Sequence, residues 1–237
     1  MRQSSVVYLA GPASSPEETA GQETIATMLE ESGFGVYLPT RDGIEPNISA
    51  LARVGDPGEH AQHDRAILES AVFALEIYQV ADRCDCLVFN MNGRVPDEAG
   101  AFAAGVAFTV GKPVVLYKLD HRSKLHGNDN AMILGLSYDF SRVTSPGKIP
   151  GELEKAIGKS RRFEGVPARV DIPPFVRITA ELGHEIWKAL LRFRISSPAG
   201  DVTAFLDELS SILAASDASG FREPGPHPTR RRKDTTL

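Results

Sequence analysis

Residues Asn92 to Lys118 read NGRVPDEAGAFAAGVAFTVGKPVVLYK: a polar loop, a helix rich in small apolar residues, then an apolar run that suits a buried strand. Asp85 to Met91 (DCLVFNM) leads into the loop as another strand. Two strands joined through a helix in this way lie parallel. Pro96 suits the first helical turn, Asp97 and Glu98 place negative charge where the helix dipole favours it, and Gly111 ends the helix. A helix entrance at the end of a parallel strand is where α/β proteins take up small ligands.

The rest of the chain repeats the alternation. Ser5 to Ala10 reads as a first strand, ended by Gly11 and Pro12. Ser14, Ser15, Pro16, Glu17 and Glu18 start a helix that carries Ile25, Met28 and Leu29 and stops at Ser32 and Gly33. Phe34 to Leu38 is a second strand, followed by a polar loop to about Pro57. A long helix covers about Gly58 to Ala81, with an apolar stripe of Ile67, Ala71, Ala74, Leu75 and Tyr78. Pro113 to Tyr117 is a fourth strand, Ser137 to Val143 is expected as a fifth, and Glu152 to Ile157 is a closing helix. The pattern predicts a doubly wound, flavodoxin-like α/β domain with a five-stranded parallel sheet over residues 1–160. A linker at 161–174 leads to a helical appendage at 175–220 and a disordered tail at 221–237. In the appendage Ile178, Leu182, Ile186, Ala189 and Leu190 share one side of a helix, and Trp187 falls at core or interface spacing.

Composition narrows the function. The 237 residues are 42% hydrophobic with net charge -5, which argues against a nucleic-acid partner for the body of the chain. RRRK at Arg230 to Lys233 reads as a solvated tail. No run approaches the roughly 18 apolar residues of a membrane span, and the N-terminus enters a strand without a signal layout, so a cytoplasmic protein is expected. Cys84 and Cys86 would share one strand face as buried, inert thiols. His60 and His63 lack a ligand set around them, so neither metal nor cofactor is expected.

The carboxyl ends of parallel strands open on one rim. Here the rim gathers Gly11 and Pro12, then Thr40, Arg41, Asp42 and Gly43, then Asn92, Gly93, Arg94 and Asp97, and finally Asp120, His121 and Arg122. Such a polar rim of mixed charge suits a sugar or nucleoside. GPASSP lacks the spacing of a dinucleotide loop.

These residues carry a resemblance. VVYLAGP at Val6 to Pro12, YLPTRDG at Tyr37 to Gly43, CDCLVFNMNGRVPDEAGAF at Cys84 to Phe102, AGVAFTVGKPVVLYK at Ala104 to Lys118 and NAMILGLS at Asn130 to Ser137 resemble the nucleoside 2-deoxyribosyltransferase family. The resemblance implies exchange of one nucleobase for another on 2-deoxyribose through a covalent glycosyl-enzyme formed on a glutamate. It implies that Asp97 helps hold the sugar, that Arg41 and Asp42 lie near the base, and that Asn130 comes from a neighbouring subunit of a homo-oligomer with shared active sites. A further acid is expected on the helix before strand three, and Glu76 is the nearest, about one residue off in spacing. Gly11, Pro12, Asn92 and Arg94 complete the expected substrate set, with a deoxynucleoside and a nucleobase as the small-molecule partners.

One departure governs what this chain can do. The family's nucleophilic glutamate falls on Ala103, between Asp97 and Gly105. A methyl group cannot attack a sugar carbon. Glu98, five residues earlier, points to another helix face at about 100° per residue. The expectation is a family member that binds nucleoside but is crippled in exchange. The alternatives are a non-catalytic nucleoside- or nucleotide-binding protein and an N-glycosidic hydrolase using another acid. Asp97 could also be a helix-terminal acid, Asn130 a helix cap, and Arg41–Asp42 a surface ion pair.

Overall fold

The computed structural model describes residues 4–44, 46, 59–93, 97–119, 129–161, 172–196 and 202–217. The elements run β1 (Val6–Ala10), α1 (Pro16–Glu31), β2 (Gly35–Tyr37), α2 (Pro39–Asp42), α3 (Glu59–Tyr78), a π-helical turn (Gln79–Arg83), β3 (Cys86–Asn90), α4 (Glu98–Thr109), β4 (Val114–Tyr117) and α5 (Ala131–Leu134). A 3-10 turn (Pro146–Lys148) then precedes α6 (Ile149–Ser160), α7 (Pro174–Ser196) and α8 (Val202–Asp217). The linker call at 161–174 falls mostly, and the tail call wholly, outside the described residues.

Among the described residues the sheet has four parallel strands in the order β2-β1-β3-β4. The parallel α/β sheet expected from the sequence is present, but the five-stranded flavodoxin-like sheet is not. Only Val143 of the expected fifth strand bridges β4, at Tyr117. The reason is local. Phe140 takes a left-handed φ of 51°, and the Ser137 hydroxyl accepts the Ser141 N–H at 2.9 Å. The segment folds back into a turn before it can extend along the edge.

Alternation along the strands fixes the layers. Val7, Leu9, Val88 and Val115 face α1 and α6, where they meet Ile25, Leu29, Ile149 and Leu153. Tyr8, Ala10, Leu87, Phe89 and Leu116 face the other way, onto Ala103, Ala104 and Ala107 of α4. Small residues let α4 lie close to the sheet. A Cβ on Gly100 would fall 2.5 Å from the Phe89 ring. Cys84 and Cys86 do not share a face as the sequence suggested. The strand begins only at Cys86, and Cys84 ends the π-helical turn, so the two thiols enter different clusters. Burial pushes both thiols up to about 12.

Helices α7 and α8 pack on α3. Leu182, Ile186, Ala189 and Leu190 of α7, with Phe205, Leu206 and Leu209 of α8, bury the α3 stripe of Ile67, Leu68, Ala71, Ala74, Leu75 and Tyr78. Ile178, expected on that stripe, is exposed instead, because it lies at the edge of the buried face, whose place at this level is taken by Thr179, 1% exposed. The closest approach is at Gly183, where a Cβ would lie 2.0 Å from the Ala74 carbonyl oxygen. His184 stacks on Tyr78 at 4.9 Å beside it.

This contact makes a stability prediction. Gly183→Ala must push α7 off α3 and is expected to lower stability by about 1–3 kcal/mol. Gly21→Ala on α1 meets nothing within 4 Å and is expected to raise it by about 0.5–1 kcal/mol. Chemical denaturation of the two variants checks the pair.

Candidate functional site

The rim is built by close approaches that only glycine permits. Gly11 ends β1 at φ 151°. A Cβ there would sit 2.3 Å from Gln22 Nε2 and 2.8 Å from the Asn90 carbonyl oxygen. Gly93 has φ 130°, and a Cβ there would lie 3.3 Å from both Glu18 Oε1 and Pro12 Cγ. Gly11, Pro12, Asn90, Gly93, Glu18 and Gln22 are thereby drawn together. Gln22 is 1% exposed, and its Oε1 accepts no hydrogen bond among the described residues.

Asn92 ties two strand ends. Asn90 Oδ1 accepts the Asn92 backbone N–H at 3.0 Å and its side-chain amide at 2.7 Å, while Asn92 Oδ1 accepts the Leu119 N–H at 2.8 Å. Burial raises the Tyr117 phenol, and a hydrogen bond with Asn92 opposes that shift. Arg94 and Asp120 to Arg122 fall outside the described residues.

Asp97 is the N-cap of α4, one position earlier than the first-turn place expected from the sequence. Its Oδ2 accepts the Gly100 N–H at 2.7 Å. Partial burial raises its carboxyl above the usual range; the Gly100 N–H opposes the rise, and Glu18 and Glu98 add to it. Ala103 lies on the buried face of the same helix, 6% exposed. Glu98 is exposed on the first turn.

A second constellation lies in the same apolar layer as Ala103. Tyr8 Oη donates to Glu76 Oε2 at 2.5 Å, and Tyr37 Oη donates to Glu76 Oε1 at 2.8 Å. The rings sit 5.6 Å apart. Burial raises both phenols well above their ordinary value, and the adjacent Glu76 charge adds to the rise. The loop after β2 comes close by: a Cβ on Gly43 would lie 3.4 Å from Glu76 Oε1. Sequence reading found Glu76 but missed its two phenols. The available signal was a tyrosine at inward-facing positions of two adjacent strands, whose hydroxyls need a buried acceptor.

Arg41 and Asp42 are engaged with each other and with the scaffold. Arg41 Nη2 meets Glu30 at 2.8 Å and Asp42 at 3.0 Å, and Asp42 Oδ2 accepts the Leu38 N–H at 2.9 Å. Asn130 caps α5, accepting the Met132 N–H at 2.9 Å, and is exposed. Behind it, buried Asp129 pairs with Lys118 at 2.5 Å and with Arg142, which fixes the loop that presents Asn130. His63 is exposed, and among the described residues no group of three or more His, Cys, Asp or Glu side chains could hold a metal ion. A cavity of about 290 Å³ opens between β4, the 137–144 turn and α6, away from Gly11, Asp97 and Ala103.

Comparison with known proteins bears on this geometry. The family model described as nucleoside 2-deoxyribosyltransferase matches residues 7–137, from β1 to the end of the turn after α5. The chain is also similar to a conserved protein from Enterococcus faecalis V583 of known crystal structure, at 20% identity and a TM-score of 0.48, over 65% of this chain and 99% of that one. No curated protein matches.

The cap and the charge of Asp97 can be separated. Asp97→Ala is expected to cost about 1 kcal/mol through the lost cap. Asp97→Asn keeps an acceptor and removes the charge. The folded Asp97 carboxyl lies above its unfolded value, so the unsubstituted chain loses stability as pH rises from the unfolded value through the folded one. The stability of Asp97→Asn relative to the unsubstituted chain is therefore expected to rise across that window and then level off. Thermal melts over a pH series check this.

Proposed function

Because the chain belongs to the nucleoside 2-deoxyribosyltransferase family, we propose that it binds a deoxynucleoside at this rim and lacks the group that would take the sugar from its base. In the family's reaction a carboxylate oxygen forms a bond to the anomeric carbon as the C–N glycosidic bond breaks. The base leaves with the electron pair and gains a proton. Ala103 offers a methyl group at that position, with no lone pair to donate. The observation that carries the reading is this buried methyl on the inner face of α4, a turn and a half beyond Asp97.

The other residues take roles that their positions support. Asp97, with a raised carboxyl at the helix entrance, holds the sugar. Glu76, fixed between two phenols in the layer that contains Ala103, is the acid placed to meet the base. Gly11, Pro12 and Asn92 shape the floor, with Arg94 in the same loop. Arg41 and Asp42 brace the loop after β2. Asn130 belongs to a neighbouring subunit's site in a homo-oligomer. Its exposure and that of Met132, at 81%, support an outward role. Glu98, exposed and off the Ala103 face, is poorly placed to replace the nucleophile.

Ala103→Glu tests this directly. Chromatography of a deoxynucleoside incubated with a second free base should show exchange in the variant at least about a thousandfold above the unsubstituted chain. Exchange by the unsubstituted chain at the variant's rate contradicts the proposal. So does a variant that binds deoxynucleoside and leaves it intact.

A further inference from the structure

We infer that the C-terminal helical pair is a working wall of the nucleoside site, in which Trp187 of α7 acts as a positioning residue that holds Tyr37 and, through it, the Glu76 carboxylate. The inference rests on the nucleoside reading above for its ligand, and on contacts of this chain alone for its geometry. The family match ends at residue 137, whereas α7 begins at Pro174. Nothing in the family's span therefore assigns these helices a role.

The path is short. Gly183 seats α7 against the Ala74 backbone, two residues before Glu76. One turn on, Trp187 leaves the helix–helix interface and reaches the sheet layer. Its ring meets Tyr37 edge-on, with centroids 5.9 Å apart and planes at 76°. Arg83 lies over the indole ring, 4.8 Å from its centroid, and donates to Gln79 Oε1 at 2.9 Å. Trp187 is only partly buried and packs against both the α3–α7–α8 cluster and the sheet cluster that holds Tyr8, Tyr37 and Ala103. Two turns further, Arg194 Nη2 donates to the Arg41 carbonyl oxygen at 2.5 Å. The same helix thus touches the end of β2 and the short α2 that follows it.

A Tyr37 ring braced on one side by Tyr8 and on another by Trp187 has one place for its hydroxyl, on Glu76 Oε1. Removing the indole frees the ring to turn, and Glu76 loses one of its two fixed donors. A Trp that served only as core would alter melting temperature without changing the phenol or the ligand.

The full-length chain, Trp187→Leu and Trp187→Phe are compared in two ways. In an alkaline titration followed by tyrosinate absorbance, the groups near the Tyr37 hydroxyl are Glu76 of α3, Cys84 ahead of β3 and Asp42 of α2, with Tyr8 of β1 beside its ring. Tyr8 and Tyr37 should stay silent in the ordinary phenol range in the unsubstituted chain and in Trp187→Phe. In Trp187→Leu one phenol should move into it. In equilibrium dialysis with deoxyadenosine and thymidine, Trp187→Leu should bind up to about tenfold more weakly, the scale of one aromatic contact, and Trp187→Phe within about twofold of the unsubstituted chain. An unchanged titration in Trp187→Leu overturns the inference whatever the ligand result. Absence of binding by the unsubstituted chain removes the nucleoside reading, while the titration still decides whether Trp187 holds Tyr37.

Discussion

The carboxylate of Glu76 receives one phenolic hydrogen bond from β1 and one from β2. Hydrogen bonds to an ionised group are worth about 1.5–3 kcal/mol each, and an unsatisfied buried hydroxyl or carboxylate carries a comparable penalty. The arrangement is therefore locked from both sides. Tyr8 and Tyr37 are 5% and 1% exposed and have no water to turn to. Helix α3, which supplies Glu76, is held against the sheet by this polar clamp and against α7 by the glycine contact at Gly183. The rim after β2, the face of α4 that carries Ala103 and the C-terminal helices all take their places around it.

Around that clamp lies the entrance proposed above as a nucleoside site. The Asp97 cap, the glycines at 11 and 93 and the Asn90–Asn92 tie build a polar entrance of fixed shape. Asp97 Oδ2 is engaged by Gly100, and Glu98 faces solvent. Covalent catalysis needs an oxygen lone pair at the anomeric carbon, and in the proposed reading Ala103 of α4 supplies only a methyl there. In the proposed reading recognition and turnover are separable, because the groups that shape the entrance are not the group that attacks.

Much of this was legible in the sequence because its signals are local. Apolar β-branched runs gave the four strands, the Ser15 cap and Pro16 gave the start of α1, and the spacing from Asp97 to Gly105 marked the helix that matters. What escaped depends on distant or subtle geometry. The fifth strand fails at Phe140, where one left-handed residue and a serine hydroxyl outweigh an extended-looking pattern. Asp97 moved from first turn to cap because a carboxylate can serve either position, and the choice lies in a backbone angle. Cys84 and Cys86 parted because a π-helical turn, invisible to periodicity, holds Cys84 and the strand begins only at Cys86. The two phenols on Glu76 join residues 68 and 39 positions apart, and a single sequence does not announce such a meeting.

The most direct measurement is intact-protein mass spectrometry of the unsubstituted chain after incubation with saturating deoxynucleoside, paired with dialysis of the same mixture. The account predicts saturable binding with the protein mass unchanged. A mass increase equal to one deoxyribosyl group would show that a nucleophile operates in this chain despite Ala103, and would contradict the central claim.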